Sequence, residues 1–261
     1  MEFFDSHSHY NDEKFNDDRE KIIEDTYKES ITKFICAGYD IESSKSSLEI
    51  SNKHDYIYSI CGISPNDVPE SIEQIDSMLE ELENIVKSDV NKKIVAIGEI
   101  GLDYYWNKEN KDVQKELFTR QIQIANKYDL PIVIHTREAV EDTIKVLKEN
   151  QVNSKGVFHC CPLNRELVKQ ALNLGFHISF AGPITFKNSK NAEEIVNMVP
   201  IDRILIETDS PYLAPEPKRG TRNDSRNVKY IAEKIANFKG LGIEEIARIT
   251  YNNAKEIFKI I

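Results

Sequence analysis

The sequence predicts an α/β protein folded as a single (β/α)8 barrel of the TIM type, one domain over residues 1–261. Three observations predict it. Eight short runs rich in β-branched and aromatic residues alternate with stretches of helical period. No linker, low-complexity tract or composition break divides the chain. A length of 261 residues is long for one sandwich and ordinary for one such barrel. The alternation alone leaves an open doubly wound sheet as the alternative.

The elements follow in order. The first strand is "EFFDSHSH", which opens on two phenylalanines and ends polar. "ITKFICAG" and "YIYSICGI" are apolar runs of strand length, and "KIVAIGEIG" is the fourth. After it Val113, Leu117, Gln121, Ile124 and Tyr128 recur at helical spacing. "PIVIHTR", "KGVFHCC", "FHISFAG" and "RILIETD" complete the eight strands. In the tail Val228, Ile231, Ala232 and Ile235 share a helix face, a Gly240–Gly242 break follows, and Ala254, Ile257, Phe258 and Ile261 share another. The longest connections, Gly101–Asp112 and Ser210–Arg226, follow strands four and eight, at the mouth where barrel function usually sits.

Charge narrows the function. With 34 basic and 44 acidic residues the net charge is −10, which excludes the broad basic surface of a nucleic-acid coat protein. A small site that handles phosphate through bound metal is not excluded, because local charge governs there. Cys36, Cys61, Cys160 and Cys161 form no CxxC pair and read as reduced core thiols. "MEFFDSHSHYNDEK" has neither a basic nor an apolar leader region, and no apolar run spans a bilayer, so a cytoplasmic protein without a membrane partner is expected.

Strand parity points to a site. Residues two apart on a strand share a face. Phe3, Asp5, His7 and His9 share one parity, as do Val95, Ile97 and Glu99. So do Val133, His135 and Arg137; Val157, His159 and Cys161; and Leu205, Glu207 and Asp209. In most of these runs the polar members come last. His7, His9, Glu99, His135, His159 and Asp209 are therefore expected to converge inward at the carboxyl end of the barrel. So many imidazoles and carboxylates need charge compensation, which a divalent metal provides. Six ligands exceed one tetrahedral site, so two divalent ions sharing a carboxylate are expected. Asp5 and Glu207 are expected one layer behind, orienting ligands. His54 and His177 read as ordinary core histidines.

The same residues resemble a known family. "FDSHSH", "GEIGLDYYW", "PIVIHTR", "VFHC" and "ETDSPYL" occur in the order found in TatD-family deoxyribonucleases, and the likeness runs from Phe4 to Phe258. It implies a TIM-type barrel that hydrolyses phosphodiester bonds of DNA with two divalent ions, Mg²⁺, Mn²⁺ or Zn²⁺. It also implies the ligand set His7, His9, Glu99, His135, His159 and Asp209, with Glu99 as the bridge. The chain departs from the family pattern at three places. "GISPND" carries Ser64 and Asn66 where the family usually has histidines, Cys161 stands after His159 in place of a phenylalanine, and "RNDS" has Ser225 in place of a proline.

The expected activity is exonucleolytic attack on single-stranded DNA ends, with RNA as a further possible substrate, by a monomer. Asp209 is the expected general base, with Glu99 catalytic beside it. Arg137, Arg222 and Asn223 are the expected substrate contacts, guanidinium forks suiting phosphate oxygens. Alternatives are a metal-dependent hydrolase of an amide, or of an ester on an aminoacylated tRNA end, and a metal-binding barrel with reduced catalysis.

Overall fold

The computed structural model describes residues 1–261. Its strands are β1 (Phe3–Ser8), β2 (Ile31–Ala37), β3 (Ile57–Cys61), β4 (Ile94–Asp103), β5 (Ile132–Arg137), β6 (Gly156–Phe158), β7 (His177–Phe180) and β8 (Ile204–Ile206). They form one parallel sheet in chain order. Between them run α1 (Arg19–Lys28), α2 (Ile41–Lys53), α3 (Ile75–Ser88), α4 (Lys111–Lys127), α5 (Val140–Glu149), α6 (Arg165–Asn173) and α7 (Ala192–Met198). Helices α8 (Val228–Lys239) and α9 (Ile243–Ile257) follow β8. This is the (β/α)8 barrel that the alternation predicts. No helix is long and apolar enough to cross a membrane.

Local chemistry sets the helix ends. Asp40 accepts the Ser43 N–H and the Ser43 side chain accepts the Asp40 N–H, a capping box that starts α2. Asn164 caps α6 through the Leu167 N–H. Gly240, in the left-handed region at φ 66°, ends α8.

The barrel closes between β1 and β8. The Asp209 N–H donates to His7 O at 2.9 Å and the His9 N–H to Ser210 O at 2.7 Å. Ser6 Oγ donates to Ile206 O at 3.0 Å. The seam therefore carries two of the expected ligand strands on one backbone ladder.

Two apolar layers lie on either side of the sheet. Phe4, Ile35, Ile60, Val95, Val133, Val157 and Leu205 fill the barrel, and Ile257, Phe258 and Ile260 close its amino-terminal end. Phe3, Phe34, Cys36, Ile97, Ile132, Ile134, Phe158 and Ile204 belong to the outer layer, packed with the helices. Each fully buried large side chain contributes about 1.5–3 kcal/mol. Ile261, expected on a buried face, is exposed; Ile260 takes its place.

Phe3 and Ile97 face outward, although they share the nominal parity of His7 and Glu99. The register explains how His7 and Glu99 still point inward. Asp5 pairs with Phe34 but Ser8 with Cys36, so three steps on β1 match two on β2. Likewise Ile97 pairs with Ile132 but Ile100 with Ile134. Each irregularity inserts one residue and reverses the parity beyond it, as a β-bulge does. His7 and Glu99 face the barrel because of the bulges, not because of unbroken alternation from Phe3 or Ile97. Beyond the second bulge β4 runs very close to β5: a Cβ at Gly101, where φ is 141°, would lie 2.0 Å from His135 O. Only glycine fits there.

Candidate metal centre

The six ring residues arrive from five strands. His7 stands in β1 after its bulge and His9 one residue past the strand end. Glu99 follows the bulge of β4, and His135 lies within β5. His159 is the first residue after β6, and Asp209 the third after β8, so these two extend the strand direction from irregular backbone. Asp209 sits in the left-handed region at φ 54°, where a non-glycine residue is strained and needs support from its surroundings. Its N–H bond to His7 supplies part of that support.

Their polar atoms converge. His7 Nε2 lies 3.3 Å from His9 Nε2 and 3.5 Å from Glu99 Oε2. Asp209 Oδ1 is 3.2 Å from His9 Nε2 and 3.9 Å from His7 Nε2. The other oxygen of Glu99 faces the opposite pair, with Oε1 2.9 Å from His135 Nδ1 and 3.2 Å from His159 Nε2. His135 Nδ1 and His159 Nε2 are 3.3 Å apart, and the rings of His7 and His159 stack at 4.1 Å. His7, Glu99 and His159 form one cluster able to hold an ion, and His7, His9 and Asp209 another.

The outer ring nitrogens explain how the inner ones are aimed. His9 Nδ1 donates to Ala37 O at 3.0 Å. His135 Nε2 donates to Asp103 Oδ2 at 2.9 Å. His159 Nδ1 lies 3.3 Å from Glu207 Oε1, which also accepts the Cys160 N–H at 2.7 Å. A ring that gives its proton outward keeps a lone pair inward, the arrangement of carboxylate–histidine–metal groups. Inward lone pairs about 3.3 Å apart repel one another, and a cation between them removes that cost. The donor set, nitrogens and carboxylate oxygens, suits a divalent ion.

The electrostatics agree. Burial pushes Glu99 upward, yet the charge of His159 and hydrogen bonds from His135, His159 and His7 hold it well below the usual carboxylate range. Burial likewise opposes ionisation of Asp209, and the hydrogen bond and charge of His9 overcome it. His159 moves the other way: burial disfavours its cation, but Glu99 and Glu207 raise it well above an ordinary histidine. Burial and the neighbouring His159 charge lower His7. Without an ion, protons on the histidines must neutralise the carboxylates. With one, the ion takes over that role.

The other expected residues separate. Glu207 stands beside the outer nitrogen of His159. Asp5 is buried at the seam, accepting the Thr208 N–H at 2.9 Å and the Thr208 hydroxyl at 2.5 Å, so it fastens β1 to β8 and touches no ring nitrogen. Burial pushes its carboxyl up to about 7. Arg222 is taken by a two-pronged pair with Asp18, at 2.9 and 2.6 Å. Asn223 is buried and donates to Thr208 O and Tyr212 O, which shapes the β8 loop. Both side chains thus have partners within the chain, and Arg222 remains exposed while Asn223 is buried. Arg137 is exposed at the mouth and lies over the Tyr105 ring at 3.9 Å. Asp103 is the residue that sequence reasoning missed. Its parity with Gly101 and Glu99, beyond the bulge, is the signal that points to it.

Comparison with known proteins places this geometry in a family. A model of the family described as "TatD related DNase" matches residues 4–259. The "uncharacterized metal-dependent hydrolase YabD" of Bacillus subtilis is 42% identical over 258 residues, covering 98% of this chain and 99% of that one. YcfH of Escherichia coli K12, which carries the same description, is 38% identical over 81% of this chain and 77% of its own. Among solved structures, the TatD homologue YJJV of Escherichia coli superposes with a TM-score of 0.91 at 24% identity, over 99% of this chain and 98% of that one. A TatD-family hydrolase of Entamoeba histolytica gives 0.87 at 22% identity, over 98% of each chain. With the family model spanning nearly every residue of the barrel, the chain belongs to the TatD-related family of metal-dependent hydrolases.

Proposed function

We propose that this chain is a deoxyribonuclease, acting as a cytoplasmic monomer, that removes nucleotides from single-stranded DNA ends with two divalent ions, Mg²⁺, Mn²⁺ or Zn²⁺, held in the ring. The observation that carries the reading is the disposition of Glu99. Its Oε2 lies toward His7 at 3.5 Å and its Oε1 toward His135 at 2.9 Å. One carboxylate oxygen thus serves each half of the ring. His7, His9 and Asp209 would hold one ion, His135 and His159 the other, and Glu99 both.

Bound divalent ions supply Lewis acidity to the phosphoryl oxygens and make water acidic enough to attack near neutral pH. The chain's own groups do the rest. Asp209, the ring carboxylate nearer the solvent, takes the proton of the attacking water. The water oxygen bonds to phosphorus, the bridging P–O bond breaks, and the leaving oxygen is protonated from solvent. Asp103 keeps the ring of His135 in one tautomer through its hydrogen bond, and Glu207 places a negative charge beside His159 Nδ1. Arg137, two residues beyond His135 at the mouth, offers its fork of donors to a non-bridging oxygen. The net charge of −10 favours contact with few phosphates near a strand end over binding along a duplex.

A second reading, hydrolysis of another ester or an amide, draws on the loop after β3. There Ser64 donates to Asp67 at 2.5 Å, which leaves an acidic group on that side of the mouth. A panel decides between them: metal-loaded protein against single- and double-stranded DNA and RNA labelled at either end, alongside an aminoacylated tRNA. Stepwise shortening of single-stranded DNA supports the nuclease. Release of amino acid with the nucleic acid left intact rejects it.

A further inference from the structure

Trp106 is the single tryptophan of the chain, and it stands 68% exposed beside a 42% exposed Tyr105. Their rings meet edge to face at 4.7 Å. The Arg137 guanidinium covers Tyr105 at 3.9 Å and lies 5.4 Å from Trp106. We propose that Tyr105, Trp106 and Arg137 form a stacking seat for the unpaired base of a single-stranded nucleic-acid end, placed so that its adjoining phosphate reaches the metal ring. This rests on the nuclease reading and adds how the strand end is chosen.

Three features carry the seat. The aromatic loop is tied to the chemistry through one carboxylate. Asp103 Oδ1 accepts the N–H groups of Tyr105 and Trp106 at 2.9 and 3.0 Å, while Oδ2 holds His135. The rings are thus fixed relative to a ligand of the ring. Second, Arg137 has no carboxylate partner and makes no side-chain hydrogen bond, unlike Arg222 with Asp18 and Arg226 with Asp224. Its donors remain available to a phosphate while its flat face stays on Tyr105, a division of roles open to arginine and closed to lysine. Third, packing cannot account for a tryptophan that leaves most of its surface in water. Tyr212 and Leu213, 44% and 37% exposed, stand in the β8 loop at the same mouth, so apolar surface gathers where a substrate would pass. An unpaired, unstacked base offers a whole face to such surface, and outside a duplex terminus a paired base does not. In a duplex the faces are covered by neighbouring pairs.

Trp106 reports on its own occupancy. The metal-loaded protein is titrated with a thymidine octamer carrying slowly cleaved phosphorothioate linkages, with an abasic octamer of equal charge, and with a blunt hairpin. Tryptophan fluorescence should be quenched by the thymidine octamer alone. In a kinetic arm on single-stranded DNA, Trp106→Ala should raise KM about tenfold with kcat changed by less than about twofold. Arg137→Lys should raise KM as well, because the charge stays but the plane is lost. An abasic octamer that quenches as strongly as the thymidine octamer overturns the proposal. So does a fluorescence change that follows protein concentration in place of oligonucleotide, which would make the patch a contact between copies. The two readings fail separately. Quenching without hydrolysis of any nucleic acid rejects the nuclease and keeps the seat. Hydrolysis with no quenching and an unaltered Trp106→Ala KM rejects the seat and keeps the nuclease.

Discussion

Asp103 Oδ2 sits 2.9 Å from His135 Nε2, so a buried carboxylate from β4 fixes the ring of a candidate metal ligand on β5. The strands pair here, Gly101 with His135 and Asp103 with Arg137, and this register sets the contact. Asp103 is itself held low: burial pushes it up, but the His135 hydrogen bond and the N–H groups of Trp106 and Tyr105 outweigh it. Replacing it by Asn keeps the shape and removes the charge that fixes the tautomer. Asp103→Asn should weaken one of two bound ions about 10–100-fold, the usual cost of losing such a partner. Calorimetric titration with Mn²⁺ into metal-free protein checks this. Two unaltered sites would reject the role.

Glu99 separates the shared carboxylate from the private ligands. Glu99→Gln leaves side-chain volume nearly the same but brings no negative charge to hold two dications together. His135→Ala removes a donor from one half of the ring only. After dialysis against limiting metal, Glu99→Gln should retain less total metal than His135→Ala by mass spectrometry, with circular dichroism confirming both folds. Two tightly held ions in Glu99→Gln would falsify the bridging arrangement.

How much of this was readable without coordinates follows from two bulges. The eight strands, their order and the ring residues all lie in local patterns: apolar runs, helical spacing, and histidines or carboxylates at strand ends. The physical route to the ring did not. Simple alternation onward from the outward-facing Phe3 and Ile97 would have turned His7 and Glu99 toward the helices. An inserted residue in each strand restores them, and nothing in a single sequence marks where a ladder slips. The contacts that Arg222 and Asn223 make within the chain were hidden for a different reason. Their partners, Asp18 and the backbone at Thr208 and Tyr212, are distant or outside the motif, so spacing carries no sign of them.

Asp209 tests the proposed base. Asp209→Asn keeps the volume at a strained position and loses both charge and proton acceptor. Turnover on DNA should fall at least about 10²-fold, the lower end of what one general base contributes, while the thermal midpoint moves little. If the variant keeps more than about a tenth of the wild-type rate, the proton goes elsewhere.

His177 opens β7 at the opposite end of the barrel, 5% exposed, with no hydrogen-bond partner for its Nδ1. Burial and the charge of Arg203 push its pKa down to about 4. The unfolded chain protonates this imidazole near pH 6.5, whereas the folded chain resists until about pH 4. Above pH 6.5 both states hold it neutral, and it does not affect stability. As pH falls from 6.5 the unfolded state binds a proton that the folded state refuses, so stability is lost. The loss reaches about 3 kcal/mol near pH 4 and then levels off, because both states are then protonated. His177→Leu cannot titrate. Urea unfolding from pH 7 to 4 should therefore show the wild type losing about 3 kcal/mol more than this variant, other acid-sensitive groups cancelling in the difference. Parallel curves for the two proteins would mean that His177 accepts its proton as easily folded as unfolded, and that the barrel floor is wetter than its packing implies.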